Sequence, residues 1–181
     1  VGDEEAEDES SVSREHVLAI EPSGMVTIAG GKLTTYRRMA AEVVDAVVEE
    51  LDKLGKDTNG LRPAETALNP LPGAIGWPED ADLADVAQRI EAASDGLIGD
   101  ATAALLARTY GMRGIDIARG VVEDPSGAEL LVEGRPEIAA QIDWGVRREL
   151  ARTASDLMMR RTQLYYRDAD QGLGVVEAVA A

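Results

Sequence analysis

The chain has 181 residues, enough for one ordinary domain or for one domain and a piece of another. Its 34 acidic against 18 basic residues leave a net charge of −16, which excludes nucleic acid as an expected partner, because a phosphate backbone would be repelled at long range. The lack of cysteine excludes disulfides, thiolate-held zinc and iron–sulfur clusters, and no apolar run approaches the roughly 20 residues that span a bilayer, so the segment is expected to be soluble. With Phe absent and aromatics at 3%, the core has to be built from Ala, Val, Leu, Ile and Met, which favours closely packed helices. Lysine occurs only at Lys32, Lys53 and Lys56. Such an acidic, Lys-poor surface suits a salt-rich cytoplasm, and an acidic mesophile protein equally well.

In chain order, residues 1–11 form an acidic run without apolar periodicity and read as a solvated loop. The chain begins without an initiator Met and is expected to be a fragment. Two short strands follow near 15–21 and 25–29, with Pro22-Ser23-Gly24 as the hairpin turn. From Thr35 to Leu54, Tyr36, Met39, Ala40, Val43, Val44, Val47, Val48, Leu51 and Leu54 recur at three- and four-residue steps, which predicts an amphipathic helix stopped at Gly55. Residues 56–80 carry four of the seven prolines and read as a linker, so the domains are placed at 1–57 and 58–181. Beyond it the pattern predicts helices near 80–94, 100–109, 114–122 and 127–133, then a long Arg-rich one over 136–163. No internal repeat is visible.

The stretch with most chemical content is Gly30-Gly31-Lys32-Leu33-Thr34-Thr35-Tyr36-Arg37, set between a strand and a helix start. A glycine pair lets the backbone turn sharply and approach a ligand with no Cβ in the way. The helix behind it presents unpaired N–H groups and the positive end of its dipole, and Lys32 adds a full charge. The combination suits an anion, or a ring carbonyl that gains negative charge during a reaction. The P-loop spacer is missing and no GxGxxG occurs. His16, the single histidine, shares a strand face with Arg14 and reads as a half-exposed strand residue. One histidine with scattered carboxylates offers no metal-ligand spacing. Arg147, Arg148, Arg152, Arg160 and Arg161 read as an ion-paired solvated face, with Asp156 and Arg160 an i,i+4 pair.

The order Ser13-Arg14, Val17-Leu18-Ala19-Ile20, Met25 to Ala29, Gly30-Gly31-Lys32, then Thr34-Thr35-Tyr36-Arg37-x-Met39-Ala40, resembles the C-terminal part of FAD-dependent, quinone-linked glycerol-3-phosphate dehydrogenases. A second stretch resembles the helical C-terminal domain of the same family. It runs from Arg135-Pro136-Glu137-Ile138 through Arg148-Glu149-x-Ala151-Arg152-Thr153 to Asp156 and Arg160-Arg161-Thr162. The implied fold is mainly α: a helical C-terminal domain preceded by a strand pair and a helix that complete an α/β FAD-binding domain.

The resemblance implies oxidation of sn-glycerol 3-phosphate to dihydroxyacetone phosphate, with FAD as hydride acceptor and a quinone or electron-transfer subunit downstream. It also implies that Lys32 is catalytic and touches substrate, that Arg14 grips the substrate phosphate, and that Gly30, Gly31, Lys32, Leu33 and Thr34 face the flavin. Arg14 also reads as a strand-edge arginine paired with a nearby acid. The implied location is cytoplasmic, with peripheral attachment to the inner face of the cell membrane through the full-length enzyme, and a homo-oligomer is compatible with it. Without its nucleotide-binding unit the piece is expected to be inactive alone. An oxygen-using glycerol-3-phosphate oxidase shares the same motif. From a different class, a non-catalytic helical interaction module remains open at the level of sequence, and the strand-Gly-Gly-Lys-helix unit argues against it.

Overall fold

The computed structural model describes residues 15–80 and 82–180. The chain divides into two compact units, Val1–Pro70 and Leu71–Ala181, with the break inside the proline-rich stretch.

In the first unit, β1 (His16–Ile20) pairs antiparallel with β2 (Val26–Gly30), Leu18 opposite Ile28 and His16 opposite Gly30. Alternation puts His16, Leu18, Val26 and Ile28 on one half-buried face and Val17, Ala19 and Thr27 on the other. The predicted turn closes with Gly24 N–H on the Glu21 carbonyl at 2.8 Å and Glu21 N–H on the Met25 carbonyl at 2.9 Å. A 3₁₀ turn (Leu33–Thr35) then leads into α1 (Tyr36–Lys53), close to the helix its periodicity predicts. None of its residues is buried: along the apolar stripe Tyr36, Val44 and Leu54 remain more than half exposed.

The second unit is helical. It holds α2 (Leu83–Ala93), α3 (Asp100–Tyr110), α4 (Gly114–Glu123), α5 (Ala140–Arg148), and the short α6 (Leu164–Arg167) and α7 (Val176–Ala180). The bounds of α2 to α4 lie within a few residues of those expected. Asp82 caps α2 by accepting the Ala84 N–H at 2.8 Å. The apolar faces of α2, α3 and α4 meet in one core containing Val86, Ile90, Leu106, Ala107, Ile117 and Val121, closed by Ile138 from the loop before α5. Tyr110 and Trp144 meet edge to face at its margin. A smaller cluster of Ala151, Leu157, Met158, Leu164 and Val179 holds the C-terminal elements. The chain is thus mainly α with one two-stranded sheet.

Two expected helices are corrected. Residues 127–133 are not helical. A 3₁₀ turn, Pro125–Ala128, is capped by Asp124, and then Leu130 bridges Ile138 while Leu131 N–H donates to the Glu137 carbonyl at 2.9 Å. Burial of Leu131 and Val132 against the smaller cluster outweighs their helical spacing.

The long helix over 136–163 does not exist either. It starts only at Ala140 and breaks at Leu150, whose φ is +58°. The N–H groups of Glu149 and Ala151 both turn back onto the Gly145 carbonyl, and Ala151 drops into the smaller core. A π-helical turn, Asp156–Arg161, follows, with Thr162 N–H on the Leu157 carbonyl at 2.8 Å. Nothing in the run Arg148-Glu149-Leu150-Ala151 disfavours a helix locally, so the break is imposed by packing.

Asp156 restarts the chain after that break. Its carboxylate accepts the N–H groups of Arg152 and Thr153 at 3.0 Å each, and Arg160 pairs with it at 2.9 Å. These partners, the Arg152 N–H foremost, hold its pKa below the usual carboxylate range. Because the folded value lies beneath the unfolded one, the cap contributes fully above the unfolded range and fades as pH falls through the folded value. We expect Asp156→Ala to lower the melting temperature at neutral pH, with the gap from the parent closing below about pH 4. Circular dichroism melting at a series of pH values checks this, and a pH-independent gap would contradict it.

Candidate functional site

The site is built where β2 hands the chain to α1. Gly30 and Gly31 take φ of +79° and +82°, consecutive left-handed conformations that reverse the backbone before the helix begins. A Cβ on Gly30 would sit 3.0 Å from the Glu15 carbonyl oxygen. One on Gly31 would lie 2.7 Å from the Met39 sulfur and 3.2 Å from the His16 Cβ. Backbone conformation therefore favours glycine at both positions, and at Gly30 the close approach of the β1 backbone adds to it.

Lys32 is extended, at φ −113° and ψ 145°, and exposed. Its carbonyl accepts both the N–H of Thr35 at 3.0 Å and the Thr35 hydroxyl at 2.9 Å. Thr35 stands at the N-cap position of α1 but makes no capping bond through its side chain, and Thr34 makes none for the turn before it. Leu33 is 88% exposed and Thr34 is exposed beside it.

A cavity of ≈ 360 Å³ opens here, lined by Glu15, His16, Lys32, Thr35 and Arg38. Glu42, one turn along α1, holds two of its walls, accepting from His16 Nε2 at 2.5 Å and Arg38 Nε at 2.8 Å. The hydrogen bond from Arg38, then that from His16, draws the Glu42 pKa below the usual range. Among the described residues no carboxylate lies within ion-pair distance of Lys32.

The structure thus brings together Gly30, Gly31, Lys32, Leu33 and Thr34 in one turn. Arg14 lies outside the described residues. His16 is committed to Glu42 and ties the hairpin to the helix. Arg38 and Glu42 were not anticipated as site neighbours. Their i,i+4 spacing was a usable signal, whereas the link to His16 depends on how the hairpin sits on α1. The turn offers two positions without Cβ beside a cation that has no acidic partner among the described residues. Of the C-terminal arginines, Arg147 pairs with Asp143, Arg160 with Asp156 and Arg161 with Glu149, while Arg148 lies over the Trp144 ring at 6.0 Å.

Comparison with known proteins bears on what this turn serves. Residues 64–181 match the family described as the C-terminal domain of alpha-glycerophosphate oxidase. The chain is 35% identical over 170 residues to the mitochondrial glycerol-3-phosphate dehydrogenase of Mus musculus, a match covering 92% of this chain and 22% of that protein. It is 33% identical over 172 residues to the enzyme of the same name from Homo sapiens, again covering 92% and 22%. To the mitochondrial glycerol-3-phosphate dehydrogenase of Arabidopsis thaliana it is 29% identical over 188 residues, covering 98% of this chain and 28% of that one. The chain thus spans about a quarter of the length of the curated relatives it matches. The expectation of a cytoplasmic protein on the inner face of the cell membrane is corrected, because these relatives are named as mitochondrial. No helix among the described residues is long and apolar enough to cross a membrane.

Gly30→Ala tests whether the turn is conformationally required. A left-handed alanine costs about 1–2 kcal/mol before the clash with Glu15 is counted. Amide hydrogen exchange across residues 16–20 and 26–30 is expected to speed up about 5- to 30-fold. Unchanged exchange would show that the turn relaxes freely.

Proposed function

This chain belongs to the glycerol-3-phosphate oxidase and dehydrogenase family, in the part that carries its C-terminal domain, and on that premise we propose that it completes an FAD-dependent enzyme oxidising sn-glycerol 3-phosphate to dihydroxyacetone phosphate. FAD, when bound, supplies the ring that accepts the hydride leaving C2 of the substrate. The chain's own residues orient and stabilise. Gly30 and Gly31 leave room for close approach, and Leu33 and Thr34 offer main-chain N–H groups toward the ring edge. Lys32 holds a positive charge where negative charge grows as the hydride moves, so its interaction is stronger in the transition state than in the ground state. Arg14 takes the substrate phosphate, for which a planar guanidinium offers two parallel hydrogen bonds. A quinone or an electron-transfer subunit would be the downstream acceptor.

The observation that carries this reading is a lysine with no acidic partner among the described residues, at the mouth of a two-glycine turn beside an open cavity, in a chain with these relatives. The family description names an oxidase, which favours oxygen as the acceptor in a second reading. Oxygen uptake against quinone reduction by one preparation separates the two.

In the full-length enzyme, Lys32→Ala is expected to lower turnover by about one to three orders of magnitude, the usual cost of removing one preorganised stabiliser of developing charge. Steady-state rates within about twofold of the parent, in a variant that keeps its flavin, would rule the role out.

A further inference from the structure

We propose that a cavity in the helical unit is a binding site for a phosphate dianion, a role that does not depend on the flavin reading above. The cavity measures ≈ 410 Å³ and is lined by the guanidinium-bearing residues Arg108, Arg160, Arg161 and Arg167, with Thr109 and Gln163 between them. In a chain of net charge −16 this is an inverted patch, because no carboxylate is among the lining residues described.

The acids that balance three of these arginines stand behind the wall. Asp156 holds Arg160 at 2.9 Å, and the Glu149 carbonyl accepts from Arg161 Nη2 at 2.6 Å, with the Glu149 carboxylate at 3.6 Å. Glu137, fully buried, holds Arg167 at 3.1 Å. Each tether occupies one or two of the five N–H groups a guanidinium carries, which leaves donors for the cavity and fixes the side chain that bears them. Arg108 is exposed and has no acidic partner among the described residues.

The scaffold explains why these residues converge. Leu105, Arg108 and Thr109 lie on one face of α3 by their three- and four-residue spacing. The π-helical turn delivers Arg160 and Arg161 from the other side, and Gln163 then reverses the chain at φ +60° so that α6 can present Arg167. Gln141 sits at the base, 1% exposed. It accepts from Ile138 N–H at 3.0 Å and donates to the Tyr110 hydroxyl at 3.3 Å, so the floor is fixed.

Four guanidiniums around a space of this size suit a small oxyanion of double charge, gripped by paired N–H groups. Leu105 and Pro136 supply an apolar margin against which the carbon part of a phosphate monoester could lie. Free phosphate and a monoester share the recognised group, so both are needed as probes.

The test is calorimetric titration of this 181-residue chain at about pH 8, where a phosphate group with its second pKa near 6 is a dianion. Methyl phosphate and inorganic phosphate are titrated separately. Saturable binding is expected in at least one titration. The tighter ligand identifies the source, a monoester if methyl phosphate wins and the free ion if it loses. Arg108→Gln, at an exposed position that leaves the core untouched, is expected to weaken binding at least about tenfold, the loss of one charge-assisted contact. Arg62→Gln, an exposed arginine of the first unit, is expected to leave it unchanged. No saturable binding of either ligand, or equal affinity in Arg108→Gln and the parent, would overturn the proposal.

Discussion

Two consecutive left-handed glycines, Gly30 and Gly31, are the constraint from which the functional end of this chain follows. They let β2 end against the Glu15 carbonyl and let Met39 of α1 come in beneath the turn, distances that no side-chain-bearing residue could occupy without displacement. Everything downstream inherits that geometry. Lys32 is exposed in an extended conformation, and its carbonyl gathers the Thr35 N–H and hydroxyl. Glu42 then locks the arrangement by holding His16 of the hairpin and Arg38 of the helix at once. An exposed cation and two positions without Cβ are brought together by one backbone reversal.

The helical unit solves a different problem, which is to build a core almost without aromatics. It does so with small and branched side chains on α2, α3 and α4, where Leu106 and Ile90 are fully buried. Its surplus negative charge is used locally. Asp82 and Asp124 cap turns, Asp156 restarts the chain after a break, and Glu137 is buried whole against Arg167. A buried carboxylate with one partner is costly if that partner is removed, so Glu137 and Arg167 are best regarded as a unit. The same economy leaves four arginines around a wall with no acid among its described residues.

Much of this was legible in the residues, and the failures have a common cause. The hairpin, the turn at Gly30-Gly31, α1 and the helices α2 to α4 are each specified by local patterns: alternation, glycine pairs, three- and four-residue apolar spacing, an Asp before a helix start. The segments 127–133 and 136–163 carry equally helical patterns and are not built that way. Leu131 and Val132 are drawn to the smaller core, and Ala151 reaches it only because Leu150 turns left-handed. Those outcomes depend on a cluster gathered from segments as far apart as Leu131 and Val179, which no local pattern specifies. The site shows the same division. Lys32 and its glycines were readable from their order, whereas the Glu42 link to His16 spans 26 positions and required the fold.

The central claim is that Lys32 places its charge against a flavin. The most direct measurement is the midpoint potential of the flavin in the full-length enzyme with Lys32 and with Lys32→Met. A cation beside the ring favours the reduced anionic form, so its removal is expected to lower the potential. A tenfold change in the equilibrium of a two-electron couple corresponds to about 30 mV, and a fall of at least that size is predicted. An unchanged potential in a folded variant that retains its flavin would contradict the account.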